Sequence, residues 1–219
     1  MKRIFIAIVL ILNVLSISAQ NDGNKPLSIQ GAIDAFINLR DAVANNDTAG
    51  IRQSANRLQK LNMDYFDGLE CMDDTDASLD GHLVFDENFA KAIINDRNAF
   101  ERADDINRES VTVRGQNSDG SISTKSCFVK AKGNTKYTFL ARGYQELAVV
   151  AESGGLVTMK IHVTNRAGLD EHHDDIKDVA KGQSYRKTSF ELPTKYSNLV
   201  ELVVFNCGDK DISFVVISN

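Results

Sequence analysis

The sequence predicts an α+β protein in which an N-terminal segment of about three helices packs on or beside a C-terminal antiparallel β-sandwich of about seven strands. Apolar residues recur at helical spacing before residue 105. Short runs rich in Val, Ile, Phe, Tyr and Thr, separated by turn residues, fill positions 122–218. No helical period lies between those runs, which favours antiparallel pairing over βαβ units.

Residues 1–19 read as a signal peptide rather than as part of the fold. Lys2 and Arg3 give a positive start, an apolar run extends to Leu15, and small residues lead to Ala19. The run is too short for a typical transmembrane helix. We expect cleavage near Ala19, no membrane span in the mature chain, and a secreted or periplasmic protein.

The overall charge limits the classes of partner. The chain has 25 Lys and Arg against 30 Asp and Glu, which gives a formal net charge of −5. An acidic chain without a basic face argues against nucleic acid and against anionic membrane surfaces.

The segment 20–105 is predicted to be a helical region with an acidic connection. A first helix begins after an N-cap at Ser28 and ends near Ala44, and a second begins at a capping Thr48 and ends near Leu61. Because the connection between them is short, the pair is predicted to form an antiparallel hairpin.

A third helix is predicted from Asp86 to about Ala103, followed at 106–121 by a linker or a first short strand. Two amphipathic helices cannot bury both apolar stripes alone. The hairpin therefore needs the third helix or the sandwich as a packing partner.

The sandwich domain is predicted to span residues 122–219. Its strands are predicted at Ile122–Lys130, Lys136–Arg142, Glu146–Glu152, Val157–Thr164, Arg186–Leu192, Leu199–Asn206 and Ile212–Ser218. The fourth of these alternates, which indicates one face in the core and one in water. The last two are almost continuously apolar, which predicts central positions or a cover on the second face, and the helices are the obvious cover.

The same segment resembles a known family. The series YTFLARG, ELAVVAES, IHVTN, SFELP, LVELVVFN and ISFVVIS is similar in order to the bacterial prepeptidase C-terminal type of sandwich, over roughly the last hundred residues. The GxYxLxV of such domains appears here as YSNLVELVV, without the Gly. The resemblance implies a non-catalytic appendage of a secreted protein.

The chain has three cysteines, Cys71, Cys127 and Cys207. An oxidising compartment permits one disulfide and leaves one thiol. Since Cys127 and Cys207 both lie in or beside predicted sandwich strands, they are the predicted pair. The absence of a CxxC spacing argues against a zinc or redox motif of that kind.

The stretch 76–87 fits the template of an EF-hand loop, with a glycine at the sixth position and a helix predicted to leave from its end. Alternate oxygen-bearing side chains of a tight loop can converge on one calcium ion. The candidate ligands are Asp76, Ser78, Asp80, His82 and Glu87. The alternative for this stretch is a turn at Asp80-Gly81, a short strand, and Asp86 as the cap of the next helix.

A second cluster, 170–175, contains Asp170, His172 and His173 in a predicted long loop. Imidazoles and carboxylates can bind zinc, although adjacent residues seldom point at one centre, so a solvated loop is the default. Among possible sugar-stacking tyrosines, Tyr185 lies at a turn.

Three functions remain open on the sequence. The first is a secreted non-catalytic module that binds a glycan or a protein. The second is a hydrolase with a metal at the acidic stretch or at His172 and His173. The third is a structural module stabilised by Ca²⁺ at 76–87. The lack of a recognisable catalytic set favours the first, so the protein is expected not to be an enzyme.

Overall fold

A computed structural model of the protein describes residues 28–61, 63–73, 122–164, 170–173, 182–195 and 197–219. The predicted signal peptide, the third helix, the short strand within 106–121 and the EF-hand-like loop lie outside these residues. The prediction of an α+β fold with two sandwiched sheets is confirmed. The described residues contain two of the predicted helices, α1 (Gln30–Ala44) and α2 (Thr48–Gln59).

The described residues after α2 form ten strands. They are β1 (Met63–Tyr65), β2 (Glu70–Cys71), β3 (Ile122–Val129), β4 (Asn134–Ala141), β5 (Gly143–Ala151), β6 (Val157–Thr164), β7 (Asp170–His173), β8 (Tyr185–Leu192), β9 (Asn198–Asn206) and β10 (Ile212–Ser218). Sheet A has the order β1-β3-β10-β5-β8, and sheet B has the order β2-β4-β9-β6-β7. All neighbours are antiparallel except β1 and β3.

Two cores hold these layers together. The first fills the space between the sheets and includes Phe139, Leu202 and Phe214. The second lies between the helices and the outer face of sheet A, where Phe36 and Ile217 are among its buried side chains. The predicted cover over the last strand is therefore the α1–α2 layer, and β10 is buried on both faces.

The helix starts differ from the sequence prediction. Ser28 Oγ accepts only a long contact of 3.4 Å from Gln30 N–H, and the first orphan donor, Ile29 N–H, is instead bound by Glu146 Oε2 at 2.9 Å. Asp47, not Thr48, caps α2, since its carboxylate accepts from the N–H of Gly50 at 3.0 Å. Both changes bring a carboxylate to the positive end of a helix, where it is stabilised.

Among the described residues, neither helix has the length and apolar character that a membrane crossing requires.

Candidate functional site

Most of the metal ligands predicted from the sequence lie outside the described residues. This applies to Asp76, Ser78, Asp80, His82 and Glu87, so calcium binding there stays a prediction. The cluster at 170–175 is placed in part, and its prediction as a loop is wrong for 170–173, because these residues form β7 at the edge of sheet B. Within the described part of the chain, no group of three or more His, Cys, Asp and Glu side chains could hold a metal ion.

The register of β7 separates the two histidines. The backbone of His172 lies opposite His162 of β6, and that of His173 lies opposite Ile161.

The predicted disulfide between Cys127 and Cys207 is absent from the structure, in which none of the three described cysteines is bonded to another. Cys127 lies on the inner face of β3, in the core between the sheets, where its Sγ donates to the carbonyl of Lys125 at 3.8 Å. Cys207 follows β9 and packs against the backbone at Gly182, whose missing side chain leaves room for its sulfur. The two thiols are thus held by different neighbours.

Burial of Cys127 raises the pKa of its thiol to about 12, against a smaller lowering effect of the Tyr137 hydroxyl. A thiol that stays protonated is a poor nucleophile and a poor metal ligand. Cys127 is therefore a core residue rather than a reactive one.

A groove of about 300 Å³ opens between β8 of sheet A and β6 of sheet B. Its apolar floor is formed by Met159 and Ile161 of β6. Its wall is formed by hydrogen-bonding and charged residues of β8 and of the chain just before it. These residues are Gln183, Tyr185, Arg186, Lys187 and Thr188. This mixture of an apolar floor and convergent polar groups is typical of ligand-binding sites.

Beside the groove, an isolated backbone bridge joins the edges of the two sheets. In this bridge, Gln183 and Val157 exchange two backbone hydrogen bonds, of 2.9 and 2.8 Å. Beyond that bridge, β8 pairs only with β5 and β6 pairs only with its own sheet. Arg186, near the bridge, donates to the side-chain oxygen of Gln183 at 3.2 Å.

The carboxylate of Glu146 in β5 links β8 to the start of α1. Lys187 Nζ lies 2.8 Å from Glu146 Oε1, while the other oxygen of that carboxylate accepts from Ile29 N–H. Burial raises the pKa of Glu146, but the hydrogen bonds from Lys187 and Ile29 outweigh it and hold this pKa below its ordinary value. The carboxylate thus fixes α1 and the Lys187 side chain together.

Sequence reasoning named Tyr185 of this groove but missed Arg186, Thr188 and Gln183. In the sequence these residues belong to an ordinary polar strand. Only the pairing of β8 at the edge of sheet A brings them opposite β6, and a pairing partner is not encoded by a local pattern.

The sequence matches no protein-family model, and no curated protein matches it. The resemblance to prepeptidase C-terminal domains therefore stays a prediction. Several solved structures are similar over parts of the chain. The Yersinia pseudotuberculosis-derived mitogen has 9% identity and a TM-score of 0.35, over 45% of this chain and 85% of its own. The carbohydrate-binding module TmCBM61, solved with β-1,4-galactotriose, has 7% identity and a TM-score of 0.30, over 45% and 81%.

A mutant of the periplasmic inhibitor of g-type lysozyme from Escherichia coli is also similar. It has 20% identity and a TM-score of 0.29, over 48% of this chain and 93% of its own. At TM-scores this low, the likenesses carry no functional argument. The function proposed for the chain depends on its own residues.

Proposed function

We propose that the protein is an exported, non-catalytic binding module that captures a glycan or a protein ligand in the groove between β6 and β8. The N-terminal residues 1–19 support export, since they have the features of a signal peptide. The observation that carries the binding role is the groove itself, which combines an apolar floor with Arg186 at its wall.

The groove can bind without catalysing a reaction. Met159 and Ile161 offer an apolar surface to a ligand, while Arg186 offers several donors to carboxylate or hydroxyl oxygens. The groove lining includes no His, Asp, Glu, Cys or Ser, and its one lysine, Lys187, is paired with Glu146. Recognition is the chemistry that this set of side chains supports.

The test is a binding screen of residues 20–219 against immobilised polysaccharides and a panel of secreted proteins, followed by affinity measurement with variants. A ligand of the groove should lose at least about tenfold in affinity in Arg186→Ala, because a charged hydrogen bond is worth about 1.5–3 kcal/mol. The matched control is Arg52→Ala, which removes an exposed arginine from α2.

Equal affinities of the two variants for every ligand found would contradict a role for the groove. Turnover of a polysaccharide, ester or peptide substrate by the purified protein would contradict the non-catalytic role.

A further inference from the structure

The four edge strands of the two described sheets differ in length. β1, β2 and β7 have three, two and four residues, whereas β8 has eight. Short edges are one way in which proteins prevent unwanted strand pairing, and a long edge offers a template for another strand. Of the described edges, β8 is the one with room for a whole added strand.

The hydrogen-bond register shows which groups β8 presents. Ala151 N–H donates to the carbonyl of Ser184, so that opposite pair is hydrogen-bonded, and pairs along β5 and β8 alternate from there. The N–H and C=O of Lys187 and Ser189 therefore point away from β5. Those of Tyr185 and Glu191 do the same. No other described segment pairs with this side of the strand.

The lysine of this edge strand, Lys187, does not project freely into solvent. A lysine in an edge strand normally projects into solvent and discourages another strand. Here the Lys187 ammonium is bound to Glu146, on the helix side of sheet A, and its side chain is only 25% exposed. Between Tyr185 and Leu192 there is no proline either. The described part of this edge therefore has no proline and no lysine that projects freely into solvent, and the charge that it turns toward the groove is Arg186.

The groove lies beside this edge. A strand added to β8 would place every second side chain toward the inner side of sheet A, over Met159 and Ile161. The alternate side chains would face the solvent. Arg186 lies on the inner side, where it is the charged residue of the wall whose partner is a neutral amide, Gln183. A carboxylate on the incoming strand is the complementary group for its guanidinium.

We propose that the groove takes an extended peptide segment of a partner protein, which adds to β8 as a further strand of sheet A and places an acidic side chain at Arg186. This inference rests on the proposed binding function and specifies its ligand as a protein segment rather than a glycan. Main-chain hydrogen bonds to β8 supply the affinity, and the floor and Arg186 supply the specificity.

The probe is a displayed library of random ten-residue peptides, selected on residues 20–219 and remade as free synthetic peptides. We expect binders with alternating apolar residues and an Asp or Glu, and at least a tenfold loss of affinity in Arg186→Ala. A peptide N-methylated at alternate residues cannot pair on one side, so one of its two methylation registers should lose binding while the other keeps it.

The protein variant that isolates the backbone is Ser189→Pro, compared with Ser189→Ala. Both remove the exposed hydroxyl, but only proline removes the outward N–H, and proline is tolerated in an edge strand at such a position. We expect Ser189→Ala to bind like the parent and Ser189→Pro to lose at least tenfold in affinity. If Ser189→Pro fails to fold, the N-methylated peptides decide the question alone.

Amide hydrogen exchange of the free protein gives an independent reading. The N–H groups of Lys187 and Ser189 should exchange quickly and become protected on peptide binding, whereas those of Arg186 and Thr188 should be slow throughout. Protection of the outward amides in the free protein would overturn the proposal, and so would a concentration-dependent dimer that protects them.

The outcomes separate this inference from the proposed function. A glycan that binds with dependence on Arg186 but equally to Ser189→Pro and Ser189→Ala would overturn strand addition and leave the binding function intact. If no glycan and no peptide binds in a way that depends on Arg186, both the strand addition and the proposed binding function are overturned.

Discussion

The two sheets of the sandwich share one core but meet different surroundings on their outer faces. In β10 of sheet A all seven residues are buried, because Val215 and Ile217 pack under the helices. In β9 of sheet B, Leu199 is 46% exposed and Glu201 is half-buried, and no described segment packs over that face. A continuous apolar run therefore does not by itself mean that a strand is covered on both sides.

The outer face of sheet B has its own means of shielding an apolar residue. Val203 on that face is buried, and its register partners on the two neighbouring strands are Lys136 and Lys160. The aliphatic stems of lysines can cover apolar surface while their ammonium groups stay in water. The apolar residues on the outer face of sheet A are shielded by a layer of helices, and those of sheet B by long polar side chains. Substitutions in either sheet can test this difference.

The largest contrast we expect is in thiol reactivity between the shared core and an exposed edge. Cys71 at the edge of sheet B is exposed, whereas Cys127 is buried between the sheets with a raised pKa. Brief alkylation of the native protein at pH 8 should modify Cys71 and leave Cys127 on the order of 10³-fold slower or more, since it must wait for unfolding. Intact mass and peptide mapping check this result.

The same mapping tests the cysteine pairing. A Cys127–Cys207 disulfide peptide in freshly purified protein would contradict the packing of the two thiols against different neighbours.

A second contrast concerns the outer faces directly. Ile217→Ala, under the helices, should lower the free energy of unfolding by about 2–5 kcal/mol, because it leaves a cavity in a closed core. Leu199→Ala, on the open face of sheet B, should change it by less than about 0.5 kcal/mol. Urea denaturation measures both. Similar losses would mean that sheet B is also covered in solution.

The third contrast depends on pH and on Glu146, which fixes α1 to sheet A. We expect Glu146→Gln to cost about 1–2 kcal/mol at pH 7, since it weakens the ion pair with Lys187 and the cap on Ile29. The folded pKa of Glu146 is lowered, so its contribution is fully present above the ordinary value of 4.5 and is lost as the pH falls through the lowered value.

Urea midpoints measured from pH 7 to pH 3 check this dependence. The difference between the parent and Glu146→Gln should be constant near neutrality and should shrink below pH 4.5. A difference that grows toward low pH would contradict the assigned contacts.

The smallest effect is expected for an ion pair on sheet B that is comparable to the Lys187–Glu146 pair of sheet A. Lys136 Nζ lies 3.2 Å from Glu201 Oε1, with side chains 40% and 30% exposed. Exposed pairs contribute little, so Lys136→Ala should cost less than about 1 kcal/mol, and the loss should diminish in 0.5 M salt. Lys187→Ala, the matched change on sheet A, should cost more in the same urea titration.

The sequence predicts the strands of the sandwich well because their apolar residues alternate or run continuously between clear turn signals. Val157–Thr164 and Ile212–Ser218 were placed at their observed bounds. It misses β1, β2 and β7, which have only three, two and four residues. Such segments become strands only through a neighbour's edge, and β1 pairs with β3 from a distant part of the chain.

The candidate site shows the same limit. Tyr185 was visible as an aromatic residue at a turn, but Arg186 and Thr188 gain a role only when β8 lies at an edge opposite β6. The cap on α1 is a second example, because Glu146 lies 117 residues from the Ile29 N–H that it binds. Local patterns predict elements, whereas sites made across elements depend on register.

The central place of β10 has a consequence for the order in which the molecule can be assembled. β3 and β5 share no partner until Ile212–Ser218 lies between them, and this strand follows all the others along the described chain. During synthesis, sheet A is therefore incomplete until that segment has been made. The same holds for its outer face, on which the two helices pack. Folding that waits for such distant pairings is slow. Until Ile212–Ser218 is present, the apolar stripes of α1 and α2 lack the part of their packing surface that Val215 and Ile217 provide.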